Sequence, residues 1–308
     1  MQTVGIIGLG LIGGSIGLAL KQNRGKASAQ TSYALIGYDS DPRRRSQAEQ
    51  MQAVDQTSEH LADAVRDSHI IIIATPVLSI RQILAELAPL ARAGAMITDT
   101  ASTKTVVLRW AQEMLPPTVH FIGGHPMAGS TGSLEEAQPD LFRGSTYCLV
   151  PTLHADKGTH TDEPALQTLQ GIIAVLGARS LLIDAETHDR CVSAISHLPF
   201  FISIALIETI AGSADIDMMS RLASSGFRDT TRLAGGDPAM YQSIALTNRN
   251  AITAWIDTYI EQLQAIRQTL QTAQNDEGEH LLGLFRQARD HRKKIWDSRE
   301  TYERQTDS

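Results

Sequence analysis

The sequence is poor in cysteine, with two residues, Cys148 and Cys191, in 308. They lie far apart and show no paired spacing, which excludes a disulfide framework and a thiolate metal site and predicts both as small core residues. No metal is expected. Long hydrophobic runs are missing as well: the apolar stretches fall short of the roughly 18 residues of a membrane span, so no membrane association is expected. Basic charge is scarce, 27 lysines and arginines against 34 acidic side chains for a formal net charge of -7, with dense clusters only at Arg43–Arg45 and Arg292–Lys294. Such a surface opposes a phosphate backbone, so no nucleic acid partner is expected. The first residues lack the basic region, apolar stretch and small-residue site of a secretory signal, and a cytoplasmic location is expected. What is left is an ordinary globular composition, 42% hydrophobic and 20% charged, in a length that fits about two domains.

Short apolar runs alternate with helical patterns through the first half. "TVGIIG", "YALIGYD", "HIIIIAT", "GAMITDT", "VHFIGG", "YCLVP" and "RSLLID" read as strands, several of them apolar at successive positions, as parallel strands buried on both faces are. Between them, "SIGLALKQ", "SIRQILAELAPLA", "TKTVVLRWAQEML" and "ALQTLQGIIAVLG" repeat apolar residues every three or four positions, with Gly94 and Gly177 placed as helix stops. The pattern predicts an α/β class: a Rossmann-type, doubly wound parallel sheet over residues 1–185. From residue 186 to 308 nearly everything has helical periodicity, which predicts a second, all-helical domain. The polar stretch Thr152–Pro164 reads as a surface excursion within the first domain, and the segment from Asp276 as an amphipathic surface helix.

"GLGLIGG" supplies Gly8, Gly10 and Gly13 directly after a strand and ahead of a helix that begins with Leu11 and Ile12. In that context the spacing is a dinucleotide fingerprint. Gly8 permits the tight turn, Gly10 lets the backbone approach a pyrophosphate, Gly13 lets helix and strand pack, and the helix N-terminus faces the phosphates. Asp39 closes the second strand, placed to accept from ribose hydroxyls, which favours NAD; a polar insertion at "NRGKASAQTS" accounts for its longer spacing. Arg43, Arg44 and Arg45 keep NADP open, since arginines there can also take a 2′-phosphate.

In an open parallel sheet, ligands collect at the carboxyl ends of the strands. Three ends carry chemistry here: Thr75 and Pro76 after the third strand, Asp99, Ser102 and Thr103 after the fourth, and His125 in "GGHPMAGS" after the fifth. Oxidation of a carbinol requires a group to take the hydroxyl proton as hydride leaves, a task that suits a neutral histidine. His125 is either that base or a hydrogen-bonded loop residue, with Gly123 and Gly124 allowing close approach and Pro126 fixing the chain's exit. In "SAISHLPFFISIAL", His197 precedes Pro199 inside an apolar helix, where proline removes a backbone bond; the histidine is either a site residue or a satisfied core residue. "SSGFRDTTRLAGGDP" combines glycines with Arg228, Asp229 and Arg232, suited to gripping a carboxylate or to surface ion pairs.

With "GLGLIGGS", "DTAST", "GGHPMAGS", "ISHLPF" and "SSGFRDTTRLAGGDP" in order between about Val4 and Tyr259, the chain resembles the prephenate/arogenate dehydrogenase family of tyrosine biosynthesis. The resemblance implies an NAD(P)-binding Rossmann domain followed by a helical dimerisation domain, a homodimer, and an active site in the cleft between domains. It implies His125 as the base for the 4-hydroxyl, Ser102 as a holder of hydroxyl and cofactor, Arg232 as the ligand of a substrate carboxylate, and His197 as a second-domain histidine lining the substrate site. It places Tyr241 where relatives have an aromatic residue reaching over from the other subunit. Some relatives carry a glutamate after the histidine motif where this chain has Ser130, Thr131 and Gly132, which bears on a gating ion pair and on the choice between prephenate, expected here, and arogenate. Two other functions compete with the expected reaction: a β-hydroxyacid dehydrogenase, for which the helical region lacks a lysine before Lys293, and a catalytically silent NAD-binding sensor.

Overall fold

The computed structural model describes residues 2–24, 32–128, 132–151, 153–154, 159–160, 163–273 and 278–306. Strands β1 (Gln2–Ile7), β2 (Tyr33–Tyr38), β3 (Gln56–Ser58), β4 (Ile70–Ile73), β5 (Met96–Asp99), β6 (His120–Pro126), β7 (Thr146–Pro151) and β10 (Arg179–Leu182) form one sheet in the order β10-β7-β6-β5-β4-β1-β2-β3. A separate two-stranded ribbon pairs β8 (Leu153–His154) with β9 (Thr159–His160). The rest of the stretch after Pro151 up to residue 162, and most of the insertion before β2, lie outside the described residues.

β1 sits at the centre, parallel to β2 and β4, with Val4 opposite both Leu35 and Ile70. The register explains why the strands lack polar alternation. Val4, Ile6, Ile70 and Ile72 face one core with α1 (Leu11–Gln22) and α6 (Glu163–Val175), while Ile7, Ile71 and Ile73 face the other with α4 (Val77–Leu87) and α5 (Thr105–Met114). Both faces are therefore covered. α2 (Pro42–Gln50) and α3 (Leu61–Val65) complete the layers around β2 and β3. Gly94 and Gly177 carry the positive φ of chain reversals, 77° and 74°.

The sheet is not parallel throughout, as the sequence had suggested. β7 runs antiparallel to β6, with His125 opposite Cys148, and β10 then runs parallel to β7. Between β6 and β7 only a short 3-10 turn, Leu134–Glu136, is described in place of a crossover helix, so β7 returns alongside β6 in the opposite sense.

After Leu182 the described chain is helical: α7 (Ala185–Val192), a π turn at Ser193–His197, α8 (Leu198–Ala211), α9 (Ile216–Leu222), α10 (Ser225–Thr231), a 3-10 turn at Arg232–Gly235, α11 (Pro238–Thr247), α12 (Arg249–Thr272) and α13 (Glu279–Thr306). By compactness the chain divides into Met1–Ile252 and Thr253–Ser308. The first unit extends beyond the sheet because α7 packs on α5 and α11 on α4.

Two expectations need correction. Ala185–Ala211 is a helix long and apolar enough to cross a membrane by length and composition, a run hidden in the sequence by its scattered polar residues. Several of these are buried, among them His188, Asp189, Ser193 and His197. Of the two cysteines only Cys148 is in the core; Cys191 is exposed, on the outer face of α7.

Candidate active site

The glycine turn leads from β1 into α1. Gly8 has φ +94°, the left-handed region that favours glycine, and a Cβ there would strike Ala74 O at 2.5 Å. A Cβ on Gly10 would meet nothing within 4 Å, so open space adjoins this backbone. Gly10 caps α1 without a side-chain hydrogen bond, which leaves the first amides of the helix, at Leu11 and Ile12, without a side-chain cap. Asp39 is buried beside the turn: its Oδ2 accepts from Leu9 N at 2.9 Å and its Oδ1 from Asp41 N at 2.9 Å. A carboxylate offers about four acceptor positions, so two bonds do not exhaust it. Arg45 Nη1 donates to Asp39 O at 2.7 Å and Arg44 Nη1 stands 3.8 Å from Asp39 Oδ2, so two of the three arginines are turned toward this strand end. At the end of β4, Thr75 Oγ1 is buried without a hydrogen-bond partner, and the exposed Pro76 caps α4. An open glycine turn, a carboxylate with spare acceptor capacity and an orphaned hydroxyl fit a dinucleotide.

His125 ends β6, buried, with its Nδ1 2.9 Å from His188 Nε2 and the two rings meeting edge to face. His188 Nδ1 lies 2.8 Å from Asp189 Oδ1. The Asp189 carboxylate also accepts the N–H groups of Lys104 (2.7 Å) and Thr105 (2.9 Å), satisfying the start of α5. Asn248, at the end of α11, donates through Nδ2 to Asp189 O at 2.8 Å and lies 3.3 Å from His197 Nδ1. His197 sits on the π turn, a distortion that the missing N–H of Pro199 accommodates. Its Nε2 and the neighbouring Ser193 Oγ are buried without a partner among the described residues. Burial, then the charges of His188, Lys104 and His197, hold His125 well below the ordinary histidine range. Burial first, with the charge of His188, brings His197 to about 4 against the opposing pull of Asp189. Both rings are therefore neutral at physiological pH.

Beneath His125 lies a fully buried ion pair, Lys104 with Asp99. Lys104 Nζ also donates to Gly124 O at 2.7 Å, while Asp99 accepts from Gly124 N (3.1 Å) and Ala101 N (2.9 Å). Burial pulls the Lys104 ammonium down, opposed by Asp99. The peptide groups flanking Gly124 are thus held from both sides, and His125 with them. The two glycines before His125 do not open the site to a ligand, as the sequence had suggested. A Cβ on Gly123 would meet Leu108 at 2.7 Å and one on Gly124 would meet Asp99 O at 2.4 Å, so both are small because the protein packs on them.

Ser102 is half-buried on the loop between Asp99 and Lys104, and the neighbouring Thr103 bonds Thr247 of α11 at 3.0 Å. Tyr241 stacks on Phe200 of its own chain, centroids 3.3 Å apart and 4° from parallel. Arg232 is exposed in the neighbourhood of Tyr241, and Arg228 is exposed in an ion pair with Asp229. The structure therefore assembles His125 and His197 in one network, and sets Arg232 apart from it with Tyr241. Ser130 and Thr131 lie outside the described residues. Sequence reasoning missed Lys104, His188, Asp189 and Asn248; the one signal for the middle pair is a His-Asp dipeptide that opens a helix leading to His197.

Two family models match in succession: Prephenate dehydrogenase, nucleotide-binding domain, over residues 16–182, and Prephenate dehydrogenase, dimerization domain, over residues 184–287. The chain is 34% identical to the prephenate dehydrogenase of Bacillus subtilis (strain 168), over 94% of this chain and 75% of that protein. Among solved structures, Synechocystis arogenate dehydrogenase is similar at 32% identity and a TM-score of 0.76, covering 94% of this chain and 99% of that one. Prephenate dehydrogenase from A. aeolicus, in complex with hydroxyphenyl propionate and NAD+, is similar at 26% identity and a TM-score of 0.83, covering 96% and 98%.

Proposed function

We infer the reaction from one premise: the chain belongs to the prephenate dehydrogenase family. It is an NAD-dependent dehydrogenase that converts prephenate to 4-hydroxyphenylpyruvate by oxidative decarboxylation. The observation that carries the assignment of roles is the place of His125, neutral and buried at the carboxyl end of β6 with its neighbouring peptide clamped by Lys104 and Asp99.

In this reading Gly8, Gly10, Leu11, Ile12 and Gly13 hold the pyrophosphate, Asp39 the adenosine ribose, and Thr75 and Pro76 the nicotinamide end. NAD held there would supply the acceptor for the hydride that leaves the ring carbon bearing the hydroxyl. His125 accepts the hydroxyl proton, and Ser102 holds that hydroxyl in line. The ring carboxylate leaves as CO2, its electron pair aromatising the ring, and the proton on His125 returns to the phenolate oxygen. Arg232 binds a substrate carboxylate, and His197 and Tyr241 line the substrate site.

Two further assignments belong to this reading. The working division of the chain falls near residue 185, cofactor before it and substrate after it, and the enzyme is a cytoplasmic homodimer. Support for the dimer comes from the match to a dimerization domain and from an apolar groove of about 540 Å³ lined by Leu206, Ile210, Met219, Leu222 and Phe227. Arogenate is the second substrate to consider, on the similarity to a solved arogenate dehydrogenase.

The test is the initial rate of reduced-cofactor formation with prephenate and arogenate, each against NAD and NADP. Turnover with prephenate and NAD is expected. Turnover with arogenate alone would overturn the substrate, and silence in all four would leave an NAD-binding sensor.

A further inference from the structure

The network behind the two histidines branches at one residue, and each branch fixes where a proton sits. The Asp189 carboxylate accepts from two backbone N–H groups, so the His188 nitrogen 2.8 Å away must be a donor. Taken with a single N–H, the His188 ring has Nε2 as an acceptor. The 2.9 Å contact to His125 Nδ1 is then filled by a proton on His125, and His125 Nε2 is bare. On the other branch, the backbone oxygen of Asp189 can only accept, which orients the Asn248 amide with its NH2 inward. That NH2 also faces His197 Nδ1 at 3.3 Å, so Nδ1 accepts and the proton resides on His197 Nε2, the buried atom with no partner among the described residues.

We propose that Asp189 is a positioning residue that sets the two site histidines to opposite tautomers, through His188 for His125 and through Asn248 for His197. His125 Nε2 then offers a lone pair to a hydroxyl proton, and His197 Nε2–H offers a donor to a carboxylate or carbonyl oxygen. The inference rests on reading His125 as the base and His197 as a substrate ligand. The charge that His125 gains in turnover is held by His188 and, one bond further, by Asp189; Lys104 and His197 are the other charged or titratable groups that face it. Asp189 touches no reacting atom, and its part is to decide which nitrogen does.

Long-range 15N–1H correlation spectra of histidine-labelled wild-type protein, at about pH 8 and so above the ordinary histidine range, read the tautomers directly. The expected result is Nδ1–H with bare Nε2 for His125, and Nε2–H with bare Nδ1 for His197. A protonated Nε2 on His125, or a bare Nε2 on His197, overturns the proposal. This readout needs neither turnover nor a folded variant, so the stated tautomers in a protein that ignores prephenate would sink the functional reading and leave this one standing. Asp189→Leu takes away the acceptor of His188 Nδ1–H and is expected to release the His125 proton from Nδ1, lowering kcat about 100-fold with NAD binding within about twofold. Asn248→Leu is expected to raise KM about tenfold and spare kcat. Wild-type kcat in Asp189→Leu, with the His125 tautomer unchanged, overturns the proposal as well.

Discussion

A Cβ on Gly13 would stand 2.0 Å from the carbonyl oxygen of Gly8, closer than any side chain can pack. Helix α1 starts where it does because nothing intervenes between these two residues. Gly13→Ala is therefore expected to destabilise the protein by about 1–3 kcal/mol, although alanine is the better helix former. Gly10→Ala meets open space and is expected to fold within about 0.5 kcal/mol of wild type while losing at least about tenfold in NAD affinity. Thermal unfolding and NAD titration of the two variants separate the roles; equal behaviour would remove the distinction.

Removing Lys104 leaves the Asp99 charge buried and unpaired. Lys104→Met is expected to cost about 3–5 kcal/mol in urea unfolding. Adding Asp99→Asn should restore part of that loss, since the isolated charge goes. A double variant less stable than the single one would show that the bonds of Asp99 to Gly124 and Ala101 outweigh its charge.

The His125 ring is held below the ordinary histidine range by burial and by the charges of His188, Lys104 and His197. A base must be unprotonated to act, so a lowered pKa extends activity toward acid. The acid limb of log kcat/KM against pH should fall below about pH 6.5. A limb at or above that value would mean that a different group limits the rate.

Stability carries the same sign. His197 is at about 4 in the folded protein and about 6.5 when unfolded, so between these values the unfolded chain takes up a proton that the native state refuses. Its contribution is complete above about pH 6.5 and declines as pH falls toward 4, by about 3 kcal/mol. Urea midpoints across this window should fall less steeply in His197→Asn than in wild type. Identical slopes would show that His197 is not the group being titrated.

The parallel half of the fold was legible because its signals are local. Ile70–Ile73 is apolar at every position because two helical layers cover it, and the glycine turn announces itself within a few residues. The direction of β7 was not read, since it is set by the preceding connection, whose described residues hold a short 3-10 turn and no crossover helix. The buried network was harder still. Lysine is almost never fully buried without a partner, so Lys104 reads as solvated unless its contact with Asp99 across a loop is known. His188 and Asp189 sit in the polar stretch "AETHDRC", and become a site only when α7 meets β6 and α5, more than 60 residues earlier in the chain. Asn248 closes a helix and looks like a cap. Its contacts with Asp189 and His197 lie 51 or more residues away in sequence.

Lys104 is fastened at both ends, its backbone N–H to Asp189 on α7 and its ammonium to Gly124 on β6. The first helix past the sheet is thereby riveted to it, and the bonds from Thr103 to Thr247 and from Asn248 to Asp189 add the end of α11 to the same frame. A hinge between sheet and helices cannot run through these residues without severing several buried hydrogen bonds together. Any breathing that admits substrate has to leave this frame intact. The proton-handling half of the pocket is a fixed anvil on which the rest of the site is laid.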